Sequence, residues 1–168
     1  QELTYYGLDL YKERALPKLL DALADVKGIE WIRLHYAYPS KFPLEILEVM
    51  QRRDNICKYL DMPLQHASNS MLKAMRRNIT REEMSELIHQ IKAAVPGICL
   101  RTTLIAGFPG ETEEDVEELK AFLQEHRFDR VGIFSYSHEE NTSAYDLVDN
   151  VPADVKAARA QEIMEVQQ

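Results

Sequence analysis

Cysteine is nearly absent: Cys57 and Cys99 are the only two in 168 residues, enough for one disulfide at most. They are too few and too far apart to ligate a metal cluster by themselves, so any cysteine-rich site must come from elsewhere. No apolar run approaches the roughly 20 residues that a membrane-spanning helix needs. The N-terminus also lacks the basic stretch and apolar core of a secretory signal. These absences predict a cytoplasmic protein without membrane association. No strand-like run leads into G-x-G-x-x-G or a P-loop, which removes support for a Rossmann or P-loop nucleotide site. The five histidines show no His-x-x-x-His or comparable metal-ligand spacing, and His89 and His126 fall on helical stretches where they read as surface residues.

What is present is ordinary for one globular domain: 45% hydrophobic and 29% charged residues, enough to build a sizeable core. The net charge of -8 is unevenly placed. Residues 1–84 carry 13 basic against 12 acidic side chains, and residues 85–168 carry 7 against 16. A surface of that sign repels a phosphate backbone, so this segment does not read as a nucleic-acid grip, whereas a basic protein partner suits it. Locally the acids have a simpler explanation. Glu111, Glu113, Glu114 and Asp115 stand at the start of a helical pattern behind Thr112, where the helix dipole favours them.

Four stretches repeat apolar residues near i, i+3, i+4 and i+7, the mark of amphipathic helices. Their stripes are Leu16, Leu19, Leu20 and Leu23; Pro43, Ile46, Leu47 and Met50; Met84, Leu87, Ile88 and Ile91; and Val116, Leu119 and Leu123. Thr80 with Glu83 forms a capping box, and Thr112 with Asp115 a near relative of one. A short helix at Ser68–Met75 and a last one from Pro152 complete the set. Between them lie strand-like runs at Trp31–Tyr36, Ile56–Met62, Ile98–Ala106 and Arg130–Tyr136. Strict alternation of strand and helix predicts right-handed βαβ units and a parallel sheet, either open or closed as a barrel.

The strands carry unusual polar content. In Ile98–Ala106, Ile98, Leu100 and Leu104 point one way and Cys99, Arg101, Thr103 and Ile105 the other. The aliphatic set should face the helices, leaving Arg101 and Thr103 on the opposite side, which in a barrel is the lumen. Ile32 and Leu34 likewise alternate with Arg33 and His35, and Gly132, Phe134 and Tyr136 share a face. A charge there must be paired or meet a ligand; either Arg33 and Arg101 pair with Asp61 and shape the interior, or they face a bound molecule. Ligand sites of parallel α/β folds gather at strand C-termini. Here those ends hold His35, Tyr36, Gln65, Ser68, Gly107, Gly110, Tyr136 and His138, together outlining one pocket rim. Acids just behind Gly107-Phe-Pro-Gly110 argue against phosphate binding at that turn.

Four segments carry a resemblance: Tyr59-Leu-Asp-Met-Pro-Leu-Gln65-His66-Ala-Ser68, Met75-Arg-Arg-Asn-Ile-Thr80-Arg-Glu-Glu, Arg101-Thr-Thr-Leu-Ile-Ala-Gly107-Phe-Pro-Gly-Glu111-Thr, and Phe134-Ser-Tyr136-Ser-His-Glu-Glu-Asn-Thr142. In this order the chain strongly resembles the radical S-adenosylmethionine methylthiotransferases, over almost its whole length. Gln65-His66-Ala67-Ser68 stands where tRNA-modifying members usually carry Gln-Ser-Gly-Ser, and Thr103 where they usually carry Asp. Tyr5-Tyr6-Gly7-Leu8-Asp9-Leu10-Tyr11 and His35-Tyr36-Ala37-Tyr38-Pro39 likewise resemble the branch acting on an aspartate side chain of a small-subunit ribosomal protein.

The resemblance implies a parallel (β/α) barrel of the radical SAM type, similar to a TIM barrel, truncated and missing its first strand. It also implies S-adenosyl-L-methionine and two 4Fe-4S clusters as cofactors, an electron donor, and a small-subunit ribosomal protein as substrate. The Cys-x3-Cys-x2-Cys of the radical cluster is lacking, and no catalytic residue or metal ligand is assigned in this chain. Residues 1–168 therefore read as part of the core domain, without the family's N-terminal cluster domain and C-terminal RNA-binding-like domain, and as inactive alone. Cys57 and Cys99 read as core thiols. By position, Gln65, Ser68 and Arg101 would meet the ribose or carboxylate of the cofactor, and Tyr136 its adenine. Gly107 and Gly110 would let the backbone turn tightly beside it. His35, Tyr36 and His138 would form the substrate rim. The alternatives are the same chemistry on tRNA, or a cluster-free α/β ligand-binding module.

Overall fold

A computed structural model describes residues 2–167. After a single 3-10 turn at Leu3–Tyr5, the order is α1 (Leu16–Ala24), β1 (Ile32–Leu34), α2 (Glu45–Arg52), β2 (Ile56–Asp61), α3 (Asn69–Ala74), α4 (Arg81–Ala94), β3 (Cys99–Ala106), α5 (Glu113–His126), β4 (Arg130–Ser135) and α6 (Ala153–Gln167). The strands form one sheet in the order β1-β2-β3-β4, every neighbouring pair parallel. The parallel α/β architecture is thus the expected one, present as an open four-stranded sheet with all strand C-termini on one edge.

Each helix follows from its stripe. Leu20, Ile46, Met84, Ile88 and Leu119 are fully or nearly fully buried and pack in one cluster with Leu34, Leu60, Leu100 and Leu104 of the strands. Both capping boxes are complete: Thr80 accepts from the Glu83 N–H while Glu83 accepts from the Thr80 N–H, and Asp115 does the same for Thr112. Each cap contributes about 1 kcal/mol. The proline-led final helix folds back on β3, β4 and α5. Alternation in β3 is regular, with Leu100, Thr102, Leu104 and Ala106 buried and Cys99, Arg101, Thr103 and Ile105 half-open. One face of the sheet therefore carries the core, and the other is left accessible.

The departures are local. β1 is three residues, shorter than the run Trp31–Tyr36, because its register with β2 shifts between Ile32 and Leu34, Trp31 is 84% exposed, and Tyr36 has φ 65°. Cys57 and Cys99 are not core thiols but half-buried on the accessible face. His126 is buried rather than on the surface, its Nε2 2.8 Å from the Ser85 hydroxyl. Among the described residues no helix is long and apolar enough to cross a membrane.

Candidate functional site

The loops at the strand C-termini enclose a cavity of about 340 Å³ lined by Gln65, Arg77, Ile105, Phe108, Phe134 and Tyr136, among others. Gln65 lies after β2 with φ 74°. The backbone is stitched to β3 on both sides, the Gln65 N–H donating to Thr103 O at 2.9 Å and its carbonyl accepting from the Ile105 N–H at 2.8 Å. Tyr136 follows β4, with the edge of Phe108 5.1 Å away and Lys156 Nζ 4.9 Å over its ring. Its phenol lies 3.2 Å from His138 Nδ1, and burial followed by the nearby Asp149 and Glu139 charges pushes its pKa up. The wall is thus aromatic and aliphatic, edged by the Gln65 amide, the Arg77 guanidinium, the Glu139 carboxylate and several hydroxyls, a surface suited to a planar heterocycle with polar edges.

Beneath the cavity is a buried polar clamp. His66 Nδ1 accepts from the Ser68 N–H at 3.0 Å, so its proton sits on Nε2, 3.3 Å from Glu111 Oε1. The other oxygen of Glu111 accepts from the Gly107 N–H at 2.8 Å and from Arg159 Nη1 at 2.9 Å. A second group centres on Asp115. Ser68 and Ser70 donate to its Oδ1, while the Thr112 N–H and hydroxyl reach Oδ2 at 2.9 and 2.7 Å. Burial raises its pKa, but the bonds from Ser68, Ser70 and Thr112 outweigh that and lower it to about 2. The loops after β2 and β3 are thereby tied to each other and to α5 and α6.

The structure brings only part of the sequence-derived set together. Gln65 and Tyr136 share the cavity. Ser68 is buried, and its hydroxyl serves Ser70 and Asp115 instead of facing the cavity. Arg101 lies outside the lining, four residues before Ile105 on the same face of β3, with Nη1 2.9 Å from Asp61 Oδ1. Gly107 does turn the chain, at φ 77°, but a β-carbon there would stand 2.2 Å from Lys156 Cγ, so it makes room for α6 as well. Gly110 has φ 83° with open space around it, and its N–H donates to Asn150 Oδ1 at 2.8 Å. His35, Tyr36 and His138 stand exposed on the strand-end edge, His138 stacked on Tyr145 at 4.7 Å.

Two residues were missed. Arg77 lines the cavity with its guanidinium 4.5 Å over the Tyr38 ring, donates to Pro63 O, and has a buried Nε without a partner. Burial lowers its pKa. Lys156 packs its stem on Gly107 and donates to Asp149 Oδ2 at 2.6 Å. Arg77 sits in one of the recognisable segments, a signal that was available; Lys156 has none. Elsewhere, His89, Glu125 and His126 bring ligand atoms within 4.8 Å of one another. His126 Nε2 is already engaged by Ser85, and the charges of Lys92 and Arg81 act on the same ring, so the group is a poor cation site.

The profile described as the radical SAM superfamily matches residues 3–123, and the chain belongs to that superfamily. Among its relatives is the ribosomal protein uS12 methylthiotransferase RimO of Flavobacterium psychrophilum, 62% identical over 167 residues, covering 99% of this chain and 39% of that protein. The RimO of Bacteroides thetaiotaomicron is 56% identical over 169 residues, covering 100% of the chain and 39% of the relative. The chain thus spans about two-fifths of the length of these curated relatives. Among solved structures, coproporphyrinogen III oxidase HemN of Escherichia coli, a radical SAM enzyme, superposes with TM-score 0.69 at 19% identity, over 88% of this chain and 35% of that one. The radical S-adenosylmethionine methyltransferase TsrM of Kitasatospora setae, solved with cobalamin and a 4Fe-4S cluster bound, gives 0.57 at 18%, over 77% and 26%. At those identities the likeness is one of fold.

Proposed function

We propose that this chain is part of the radical SAM core of a methylthiotransferase acting on an aspartate side chain of ribosomal protein uS12. Identity of 55–64% to RimO proteins along the full chain carries the reading. The cavity supports it. S-adenosylmethionine, reduced by an iron–sulfur cluster, supplies a radical able to take hydrogen from an unactivated carbon, and a second molecule supplies a methyl group. The residues present fit the first of these groups: Tyr136 and the exposed Phe134 offer aromatic surface for adenine, the Gln65 amide a polar edge, and the Arg77 guanidinium a cation at the wall. They do not fit a cluster, because the two cysteines lie on the open sheet face and make no ligand set among the described residues. On this reading the ligands of the two expected clusters lie in parts of the longer protein outside this chain.

What these residues themselves do is hold and shield. The clamp of His66, Glu111 and Arg159 sets the two loops, and the aromatic side chains give one side of the cavity an apolar wall. Gln65 is held by backbone bonds on both sides, so the main chain that carries its amide into the cavity is fixed in advance.

The test uses the full-length protein, reconstituted anaerobically with iron and sulfide and given reductant and S-adenosylmethionine, with uS12 and unmodified tRNA as substrates. A methylthio mass gain on uS12 is expected. A gain only on tRNA overturns the substrate, and no gain on either with clusters loaded overturns the reaction.

A further inference from the structure

Below the cavity, the open sheet face holds a charged row that the reading above leaves without a task. Leu34 pairs with Leu60 and Asp61 with Arg101, which sets His35, Asp61 and Arg101 side by side, with Arg33 one same-face step below His35. Arg33 Nε donates to His35 Nε2 at 2.8 Å, so the His35 proton sits on Nδ1, which lies 3.9 Å from Asp61 Oδ2. The other Asp61 oxygen accepts from Arg101 Nη1 at 2.9 Å. Arg130 continues the row on β4, opposite Arg101. Three guanidiniums thus line a row that holds one carboxylate, and only Arg101 is paired with it, on a chain whose net charge is -8.

The spare capacity is directional. Among the described residues neither Arg33 nor Arg130 has a carboxylate within ion-pair distance. Arg33 lies 4.8 Å over the Tyr59 ring, which orients it without neutralising it. Arg101 uses one arm on Asp61, and its Nη2 lies over Gly132, 3.8 Å from where a β-carbon would stand, without a partner of its own among the described residues. Arg101 is 37% exposed at its side chain and Asp61 only 8%. A buried acid holding an accessible guanidinium in place is an anion receptor with a fixed geometry.

We propose that this row receives the acidic side chain of the protein substrate, with Arg101 and Arg33 binding its carboxylate while Asp61 and His35 position them. The proposal rests on the function proposed above and adds the residues that read the target acid. Depth selects the substrate over the carboxylate of the cofactor. Arg101 precedes the cavity-lining Ile105 by four residues, about 13 Å along an extended strand, which leaves room for a second molecule below the first.

The experiment measures binding of two uS12 peptides to the full-length, cluster-loaded enzyme with S-adenosylmethionine and no reductant, one peptide with the target aspartate and one with asparagine there. Wild type should favour the acid by tenfold or more. Arg101→Gln should erase that preference by weakening the acid alone, Arg101→Lys should restore part of it, and the affinity for S-adenosylmethionine should stay within twofold. An unchanged preference in Arg101→Gln, or lost cofactor binding with the preference intact, overturns the proposal. If Arg101→Gln fails to fold, the exposed Arg33→Gln carries the same test, and a preference it leaves untouched counts as failure. A wild type that modifies uS12 yet shows no acid preference refutes this subsite alone; one that never modifies uS12 refutes the functional reading.

Discussion

Polar residues cluster in two places, beneath the loops at the sheet's C-terminal end and along its accessible side, and they differ in what their hydrogen bonds leave over. Below the loops, the carboxylates of Glu111 and Asp115 are buried and each oxygen is occupied. Around the cavity and on the accessible face, Gln65, Arg77, Tyr136 and Arg101 are more exposed and keep open surface or, as in Arg101, an unused donor. Saturated polar groups are scaffold, because any ligand would have to displace a bond already made. Unsaturated ones are where a ligand gains most.

The contrast can be broken from the scaffold side first. Glu111→Ala strands Arg159 and the Gly107 N–H in the interior, and urea unfolding should show a loss of about 3–5 kcal/mol. Gly107→Ala places a β-carbon against Lys156 in a left-handed backbone, costing roughly 2–3 kcal/mol. Adding Lys156→Ala should return part of that loss, so a double-mutant cycle reads the contact directly.

Asp115→Asn is smaller and depends on pH. The folded-state pKa, about 2, lies below the ordinary 3.8, so the carboxylate contributes stability above the unfolded value and loses it as pH falls through the folded one. The variant should be about 2 kcal/mol less stable at pH 7, a gap that narrows between pH 4 and pH 2 in unfolding curves. On the accessible face the sign reverses. Gln65→Gly relieves a left-handed glutamine and should raise stability by about 0.5–1 kcal/mol while weakening S-adenosylmethionine binding in the full-length protein by calorimetry. Lower stability with unchanged binding would erase the distinction between scaffold and site.

Most of the fold was legible because it rests on short-range patterns. Leu16 to Leu23 and Met84 to Ile91 show helical stripes, Thr80 and Thr112 show their caps, and Leu100 to Ala106 alternates cleanly. The site was legible only where the chain makes a local event, as at Gln65 and Tyr136. Ser68 reads as a helix cap in any sequence; its burial depends on Asp115, 47 residues away. Arg77 and Lys156 reach the cavity region through long-range packing that no periodicity encodes. Cys99 shares the accessible face with Arg101 by strand parity, and Cys57 with Asp61, so the alternation that places Arg101 also argues against two core thiols.

The clamp also has a consequence for vectorial synthesis. Glu111 is translated 48 residues before its partner Arg159, and Gly107 precedes Lys156 by a similar stretch, since both partners lie on α6. A nascent chain halted ahead of that helix would hold the β3 turn with a carboxylate lacking its arginine. The β3 turn is therefore finished late, after all four strands have been made, and it reaches its final bonding only when α6 docks.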